Sequence, residues 1–299
     1  MPTRSRNVSC VALRPAQRGE VWLFDCGEGT QHQLLRSDLN ISQITRIFIT
    51  HMHGDHVLGL MGLLATCGMT AHARGIEIYG PRPIADYVRE VSRRTQFQTN
   101  YPLEVHEVKD GLVFEDDEYT VTCAQLKHRL QAFGYRVQEK DRPGHFDVAR
   151  ARELGIPSGP LYGKLKRGES VTLDDGRTFE GAEFCGPDLK GRVVAYCTDT
   201  TYCRSSVELA RDADLLIHEA TFAEVDEGLA IRSTHSTAAM AARVASEARA
   251  RRLLITHFSP RYFPGNQTEP EDLLQEARAV FPETEMARDF LSVDVARRE

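Results

Sequence analysis

The sequence lacks a CxxC pair. Its seven cysteines, at positions 10, 26, 67, 123, 185, 197 and 203, are odd in number and cannot all pair within one chain. Reduced thiols follow. Most lie in apolar runs such as VWLFDC and VVAYC, where free cysteine acts as a small buried hydrophobe. Long hydrophobic runs are missing too. No stretch reaches the ~18 apolar residues of a membrane span, and MPTRSRNVSC has no signal-peptide core. The expectation is a cytoplasmic protein with no membrane partner. Nor is there an excess of positive charge, since 37 Lys plus Arg stand against 43 Asp plus Glu, a formal net charge of −6. That sum does not advertise a nucleic-acid partner, yet phosphates are neutralised by local basic patches and not by the whole-molecule total. Internal repeats of fixed short period and low-complexity tracts are absent.

What is present is an ordinary globular composition, 41% hydrophobic and 27% charged over 299 residues, enough for one or two domains with a sizeable core. Strand-like and helix-like segments alternate. EVWLFDC (20–26) reads as a strand, GEGT as a turn and TQHQLLRSDL as a helix. TRIFIT (45–50) repeats the pattern as a buried strand, followed by the loop HMHGDH and an apolar helix, VLGLMGLLATCG, packed on both sides. IEIYG and the helix IADYVREVSRRT (84–95) come next. EYTVTCAQLKH and AFGYRVQE read as strands of a meander. Residues 141–168 carry repeated Pro and Gly, end in KLKRG and show no sustained apolar period, which predicts an excursion from the core. Strands and helices then resume through RVVAYCTDT, DLLIHEATF, STAAMAARVASEARA, RLLITHF and EDLLQEARAVF. The pattern by itself gives a mixed α/β fold, and two sheets face to face with helices outside would account for the order.

The chemistry concentrates in Thr50-His51-Met52-His53-Gly54-Asp55-His56, between an apolar strand and an apolar helix. Neutral imidazole and carboxylate suit zinc, and a loop at a strand end can turn such groups inward around a metal. With Gly54 easing the turn, His51 and His53 can face one ion while Asp55 and His56 face a second. A divalent ion needs more ligands than this loop supplies. Three further residues stand after hydrophobic strands: His128 after TVTCAQLK, Asp199 after VVAYCT and His257 after RLLIT. Alone, each would read as a capped or surface polar residue; together with the loop they complete two sites.

HxHxDH followed by a distant His, Asp and His resembles the metal signature of the metallo-β-lactamase superfamily. Within it, FDCGEGTQHQL, FITHMHGDHVLGL, FGYRVQEKDRPG, HEATF, STHSTA and THFSPRY are similar to the ribonuclease Z family over nearly the whole chain. The resemblance implies one four-layer αββα domain over residues 1–299, with 141–168 as a protruding flexible arm that holds the tRNA body. It implies two Zn2+ per chain, the first on His51, His53 and His128, the second on Asp55, His56 and His257, with Asp199 bridging. It also implies a homodimeric endoribonuclease that removes the 3′ trailer of precursor tRNA, leaving a 3′-hydroxyl on the tRNA and a 5′-phosphate on the trailer. Asp55 would orient or deprotonate the nucleophile. His235 of STHST, oriented by Glu219 of HEAT, would protonate the leaving oxygen; without the family, His235 could simply belong to the N-cap region of the next helix.

Substrate contacts carried by the resemblance are Arg4, Arg6 and Asn7 in the opening Pro2–Asn7 loop, Gly159, Pro160, Lys164, Lys166 and Arg167 in the arm, and Arg261 of THFSPRY. Read without the family, the arm's basic run is a solvated loop. Family members carry a short apolar strand and a GTxxGxP loop ahead of this opening segment; Met1 stands in their place, so a strand is expected to be missing from the sheet. Two other functions compete. A general zinc phosphodiesterase or thioesterase-like hydrolase of the same fold would lack the arm and the HEAT/HST pair, and a catalytically dead RNA-binding relative would have lost metal ligands.

Overall fold

Aromatic and β-branched runs form strands where the sequence supplies them. In the computed structural model, residues 2–4, 6–69, 74–262 and 265–298 are described; Ser5 of the opening loop lies outside them. The first sheet holds β1 (Val11–Leu13), β2 (Val21–Phe24), β3 (Ile44–Phe48), β4 (Ile76–Gly80) and β5 (Leu103–Glu107) in that spatial order. β1 and β2 are antiparallel, and β2 to β5 are parallel. The second sheet starts as an antiparallel meander of β6 (Gly111–Glu115), β7 (Tyr119–Leu126) and β8 (Ala132–Glu139). An excursion holding the short strands β9 (Val171–Thr172) and β10 (Thr178–Phe179) intervenes. Then β11 (Val193–Cys197) returns beside β8, and β12 (Leu215–Glu219), β13 (Leu253–Thr256) and β14 (Thr284–Met286) extend the sheet in parallel.

Three apolar layers hold the sandwich. Between the sheets, Trp22, Phe24 and Phe48 meet Tyr135, Tyr196 and Ile217, with Phe24 stacked on Phe48 at 4.9 Å. Outside the first sheet lie Leu60, Leu63 and Leu64 of the helix Leu60–Met69 with Ile84 and Val88 of the helix Ile84–Thr95. Outside the second lie the alanine face of the helix Ala238–Glu247 and Leu273 of the helix Pro270–Val280. The layering is helix, sheet, sheet, helix, as the resemblance implied.

Local differences have physical causes. TQHQLLRSDL is helical only over Thr30–Leu34, and Ser37 Oγ donates back to the Leu34 carbonyl as the chain turns away. The apolar segment after the histidine loop is not packed on both sides: Leu60, Leu63, Leu64 and Cys67 are buried while Leu58 and Met69 are exposed. Excess hydrophobicity at that helix therefore lies partly on the surface. The excursion leaves where expected but runs past Gly168, since Arg142 pairs with Leu189 and Phe146 with Cys185 across its two legs. It has its own small core of Phe146, Ala151, Ile156, Leu165, Val171 and Phe184. Its helices, Val148–Glu153 and Pro160–Lys166, are too short to print a period in the sequence. On the outer side of β1 no strand pairs among the described residues, and a groove of about 870 Å³ separates β1 from the extended residues 291–295.

Two turns fix the histidine loop against β2. Gly59 N donates to the Cys26 carbonyl at 2.9 Å, and a Cβ on Gly59 would meet the Gly27 carbonyl oxygen at 2.0 Å. Backbone touches backbone there, so no side chain can yield. Gly59→Ala should lower stability by about 1–3 kcal/mol, the usual range for overpacking, read as a lower denaturation midpoint. Gly163→Ala in the arm helix, where the nearest atom lies at 3.5 Å on the flexible Arg167 side chain, should not.

Candidate metal centre

The ends of β2, β3, β7, β11, β12 and β13 deliver Asp25, the 51–56 loop, His128, Asp199, Glu219 and His257 to one rim. Three of these residues hold left-handed backbone: Asp25 at φ 61°, Asp199 at φ 46° and His257 at φ 62°. Each bends the chain sharply at a strand end. Asp and His tolerate that conformation better than most side chains.

All seven residues expected to bind metal converge. In a first group, His53 Nδ1 lies 2.9 Å from His51 Nε2 and 3.3 Å from His128 Nε2, and His51 Nε2 lies 3.3 Å from Asp199 Oδ2. In a second, His56 Nε2 and His257 Nε2 lie 3.3 and 3.2 Å from Asp199 Oδ1, and His257 Nε2 is 3.8 Å from Asp55 Oδ2. Asp199 thus turns one oxygen toward each group. The Nε2 atoms of His56 and His257 are buried with no hydrogen-bond partner, a costly state that a coordinated cation would relieve. The donor set of imidazole and carboxylate suits a divalent ion of zinc type.

Electrostatics favour the same occupant. Burial and the neighbouring His51 and His128 push the His53 imidazole down to about 4, which keeps its lone pair available at neutral pH. The His128 imidazole is lowered by burial as well. Asp55 is held below the usual carboxylate range by the neighbouring His257 and His56, and Asp199, despite burial, by His257 and His56. Both carboxylates are therefore anions.

Behind the cluster sits a layer of partners. His51 Nδ1 meets Thr50 Oγ1 at 3.0 Å, His56 Nδ1 meets Asp25 Oδ2 at 2.8 Å, His257 Nδ1 meets Thr221 Oγ1 at 2.9 Å, and His128 Nδ1 donates to the Thr234 carbonyl at 3.0 Å. Such contacts fix which nitrogen faces inward. Asp25 is wholly buried and also accepts from Thr50 N at 2.8 Å and Tyr196 Oη at 3.0 Å. Sequence reasoning missed Asp25, Thr221, Thr234 and Tyr196. For Asp25 a signal existed, because it ends the run VWLFD as Asp199 follows VVAYC.

Glu219 and His235 are together as expected, Nδ1 to Oε1 at 2.8 Å. Glu219 further accepts from the backbone N–H groups of Thr200 at 2.7 Å and Ser236 at 3.1 Å and from Thr221 Oγ1 at 2.5 Å. Burial would lower the His235 pKa, but the Glu219 carboxylate overrides it and the net shift is upward. The His235 ring lies parallel to that of His257, centroids 5.6 Å apart. It therefore borders the metal-binding groups, and one of its ring nitrogens lies within 4.8 Å of ligand atoms of Asp199 and His257.

The expected substrate residues are spread more widely. Arg6 stacks its guanidinium 4.7 Å from the Phe258 ring centre and donates to the Ala287 carbonyl at 2.6 Å, while Asn7 N donates to Asp289 at 2.9 Å. These two border the His257 turn; Arg4 is exposed. Gly159 caps and Pro160 opens the arm helix, with Lys164 and Lys166 exposed on it and Arg167 at its end, paired with Glu169 at 2.7 Å. None of these arm residues touches the histidine cluster through a hydrogen bond or ion pair among the described residues. Arg261 is paired with Asp226 at 3.2 Å and lies over the Phe222 ring.

Comparison with known proteins agrees with this architecture. The β-lactamase superfamily domain model matches residues 22–146 and 174–258, leaving out most of the excursion. Ribonuclease Z from Nostoc sp. (strain PCC 7120) is 61% identical over 298 residues, covering 100% of this chain and 92% of that protein. Ribonuclease Z from Acaryochloris marina is 60% identical, covering 100% and 95%. Among solved structures, the short form of human tRNase Z superposes with a TM-score of 0.71 at 30% identity, over 99% of this chain and 95% of that one. A long-form RNase Z from yeast shares the fold, with a TM-score of 0.62 at 17% identity over 96% of this chain and 39% of that one.

Asp25 supplies the prediction here. Asp25→Asn keeps the shape but removes the charge that faces His56, and should weaken divalent-metal binding about 10–100-fold, the usual effect of losing such a partner. Competition against a chromophoric chelator measures it. Unchanged affinity with a lowered melting temperature would make Asp25 a purely structural residue.

Proposed function

This chain belongs to the ribonuclease Z family of the β-lactamase superfamily, and on that premise we propose that it removes the 3′ trailer from precursor tRNA as a zinc-dependent endoribonuclease. The products are a 3′-hydroxyl on the tRNA and a 5′-phosphate on the trailer. One observation carries the reading: Asp199 turns its two oxygens toward two separate ligand groups, with the Glu219–His235 pair alongside. We assign two zinc ions per chain, one to His51, His53 and His128, one to Asp55, His56 and His257, both sharing Asp199. Bound there, they supply Lewis acidity that activates water near neutral pH and offsets charge building on the phosphoryl group.

The chain's own groups do the rest. Asp55, held anionic, accepts a proton from the attacking water or orients it. His235, whose protonated form Glu219 favours, donates a proton to the departing ribose 3′ oxygen. Glu219 is itself fixed by four donors besides His235, so the imidazole cannot swing away. Arg4, Arg6 and Asn7 are assigned to the tRNA 3′ end, a reading supported by the place of Arg6 and Asn7 beside the His257 turn. Arg261 joins them through whichever N–H groups its pairing with Asp226 leaves over. The arm, with Gly159 and Pro160 setting its helix and Lys164, Lys166 and Arg167 upon it, grips the tRNA body. A homodimer working in the cytoplasm completes the proposal. A general phosphodiesterase of the same fold is the second reading, favoured only if precursor tRNA is cut without positional preference.

Labelled precursor tRNA should be cut once, after the discriminator nucleotide, with cleavage lost to a chelator and restored by zinc. His235→Ala should lower kcat about 10²–10⁴-fold, the usual worth of general acid catalysis, with KM little changed. A large rise in KM at constant kcat would move His235 from proton transfer to binding.

The arm has a separate test. Because Phe146 and Cys185 pair across its legs, a two-residue Asn-Gly turn can replace residues 147–184 without spreading them. Cleavage of precursor tRNA should then fall at least tenfold through KM, whereas hydrolysis of bis(p-nitrophenyl) phosphate, which has no tRNA body to hold, should persist. Loss of both activities in a protein that still binds zinc would place the arm in the catalytic site.

A further inference from the structure

Five imidazoles supply nitrogens to the metal-binding groups, and four have the opposite ring nitrogen held by a carboxylate, hydroxyl or carbonyl oxygen. His53 is the exception. Its Nδ1 faces inward, 2.9 Å from His51 Nε2, while its Nε2 faces outward, 3.4 Å from Arg129 Nη2. Arginine carries only donors and never accepts. The contact is thus a hydrogen bond only while Nε2 has no proton. Once Nδ1 is committed to a cation, the neutral ring keeps its proton on Nε2, and two donors then face one another with no acceptor between them.

Arg129 has no competing claim. It is exposed, and among the described residues no carboxylate pairs with it. Its backbone N–H donates to Thr234 Oγ1 at 3.2 Å, and Thr234 also holds His128, so the residue is anchored to the rim of the first metal group. An imidazole N–H and a guanidinium this close can both donate to one anionic oxygen. A phosphate oxygen offers several acceptor sites and the matching charge.

We propose that His53 Nε2–H and Arg129 form a phosphate subsite, which takes an oxygen of the RNA backbone phosphate adjoining the one that is cut. The inference rests on the proposed RNA-cleaving function. With a cation held on Nδ1, His53 Nε2–H and Arg129 would both be free to donate to the RNA. Arg129 acts as a substrate-positioning residue, separate from the arm.

Affinity for precursor tRNA, measured by fluorescence anisotropy on zinc-loaded protein in the His235→Ala background, tests the subsite. Adding Arg129→Ala should weaken binding about tenfold at low salt. It should also reduce the slope of log K against log salt by about 0.7–0.9, the value of one phosphate contact. Zinc content should stay at its original value. A precursor with one uncharged methylphosphonate beside the cleavage site should bind less well to the Arg129 protein and equally well to Arg129→Ala. An unchanged salt slope, or a methylphosphonate penalty of equal size in both proteins, would overturn the subsite. Failure of the wild-type protein to cut any precursor tRNA would instead overturn the functional reading beneath it, so the two failures are distinguishable.

Discussion

The centre depends on one buried carboxylate. Asp25 is inaccessible to solvent, and an anion in such a place is costly unless every lone pair is used. It accepts from Thr50 N and Oγ1 at the end of β3, faces His56 at the start of the ligand helix, and accepts from Tyr196 of the second sheet. Tyr135 of the second sheet makes a parallel tie to the Ile49 carbonyl. Sheet packing and ligand placement are thereby one problem. Sliding one sheet over the other would strip Asp25 of a donor and turn His56 out of line.

The left-handed conformations of Asp25, Asp199 and His257 follow from the same demand. A strand continuing straight would send its next side chain along the sheet face. A left-handed residue at the strand end turns the chain back and aims the side chain at the rim. Each costs of order 1–3 kcal/mol and persists only where neighbours over-determine it. Here they do: Asp25 has its three partners, Asp199 faces three imidazoles and His257 is held by Thr221. Residue types chosen for metal chemistry are also those that bear this backbone most easily. One substitution therefore loses ligand and turn together.

Such coupling explains what could be read from the chain. His128, Asp199 and His257 were legible because a polar residue directly after an apolar strand is conspicuous, and the crowded loop 51–56 supplied the rest of the set. The layered fold was legible from alternating runs only as mixed α/β, and the family resemblance supplied its detail. Thr221, Thr234 and Tyr196 were not legible. Their importance lies in contacts across 36, 106 and 171 residues of sequence, and nothing local marks a threonine just past a strand or helix, or a tyrosine within a strand, as a ligand's partner. The far leg of the arm was hidden for a different reason. Its core is made by six scattered side chains on elements too short to repeat a pattern.

The acidic sum of charges, awkward for a protein that handles RNA, loses its force once the acids are located. Glu139 is ringed by Arg192 at 2.8 Å, Arg142 at 3.3 Å and Arg297, and Asp214 by Arg298 at 2.9 Å and Arg251 at 3.6 Å, both acids almost wholly buried. These charges serve the frame and project little field. Asp25, Glu219 and Asp199 are likewise turned inward, toward histidines and backbone donors. At the rim Arg129 is exposed beside the outward-facing Nε2 of His53, and divalent cations held by the histidine cluster would add to that positive charge. A polyanion approaching the cleft meets that local field before the net charge, because screening confines its view to about 8–10 Å.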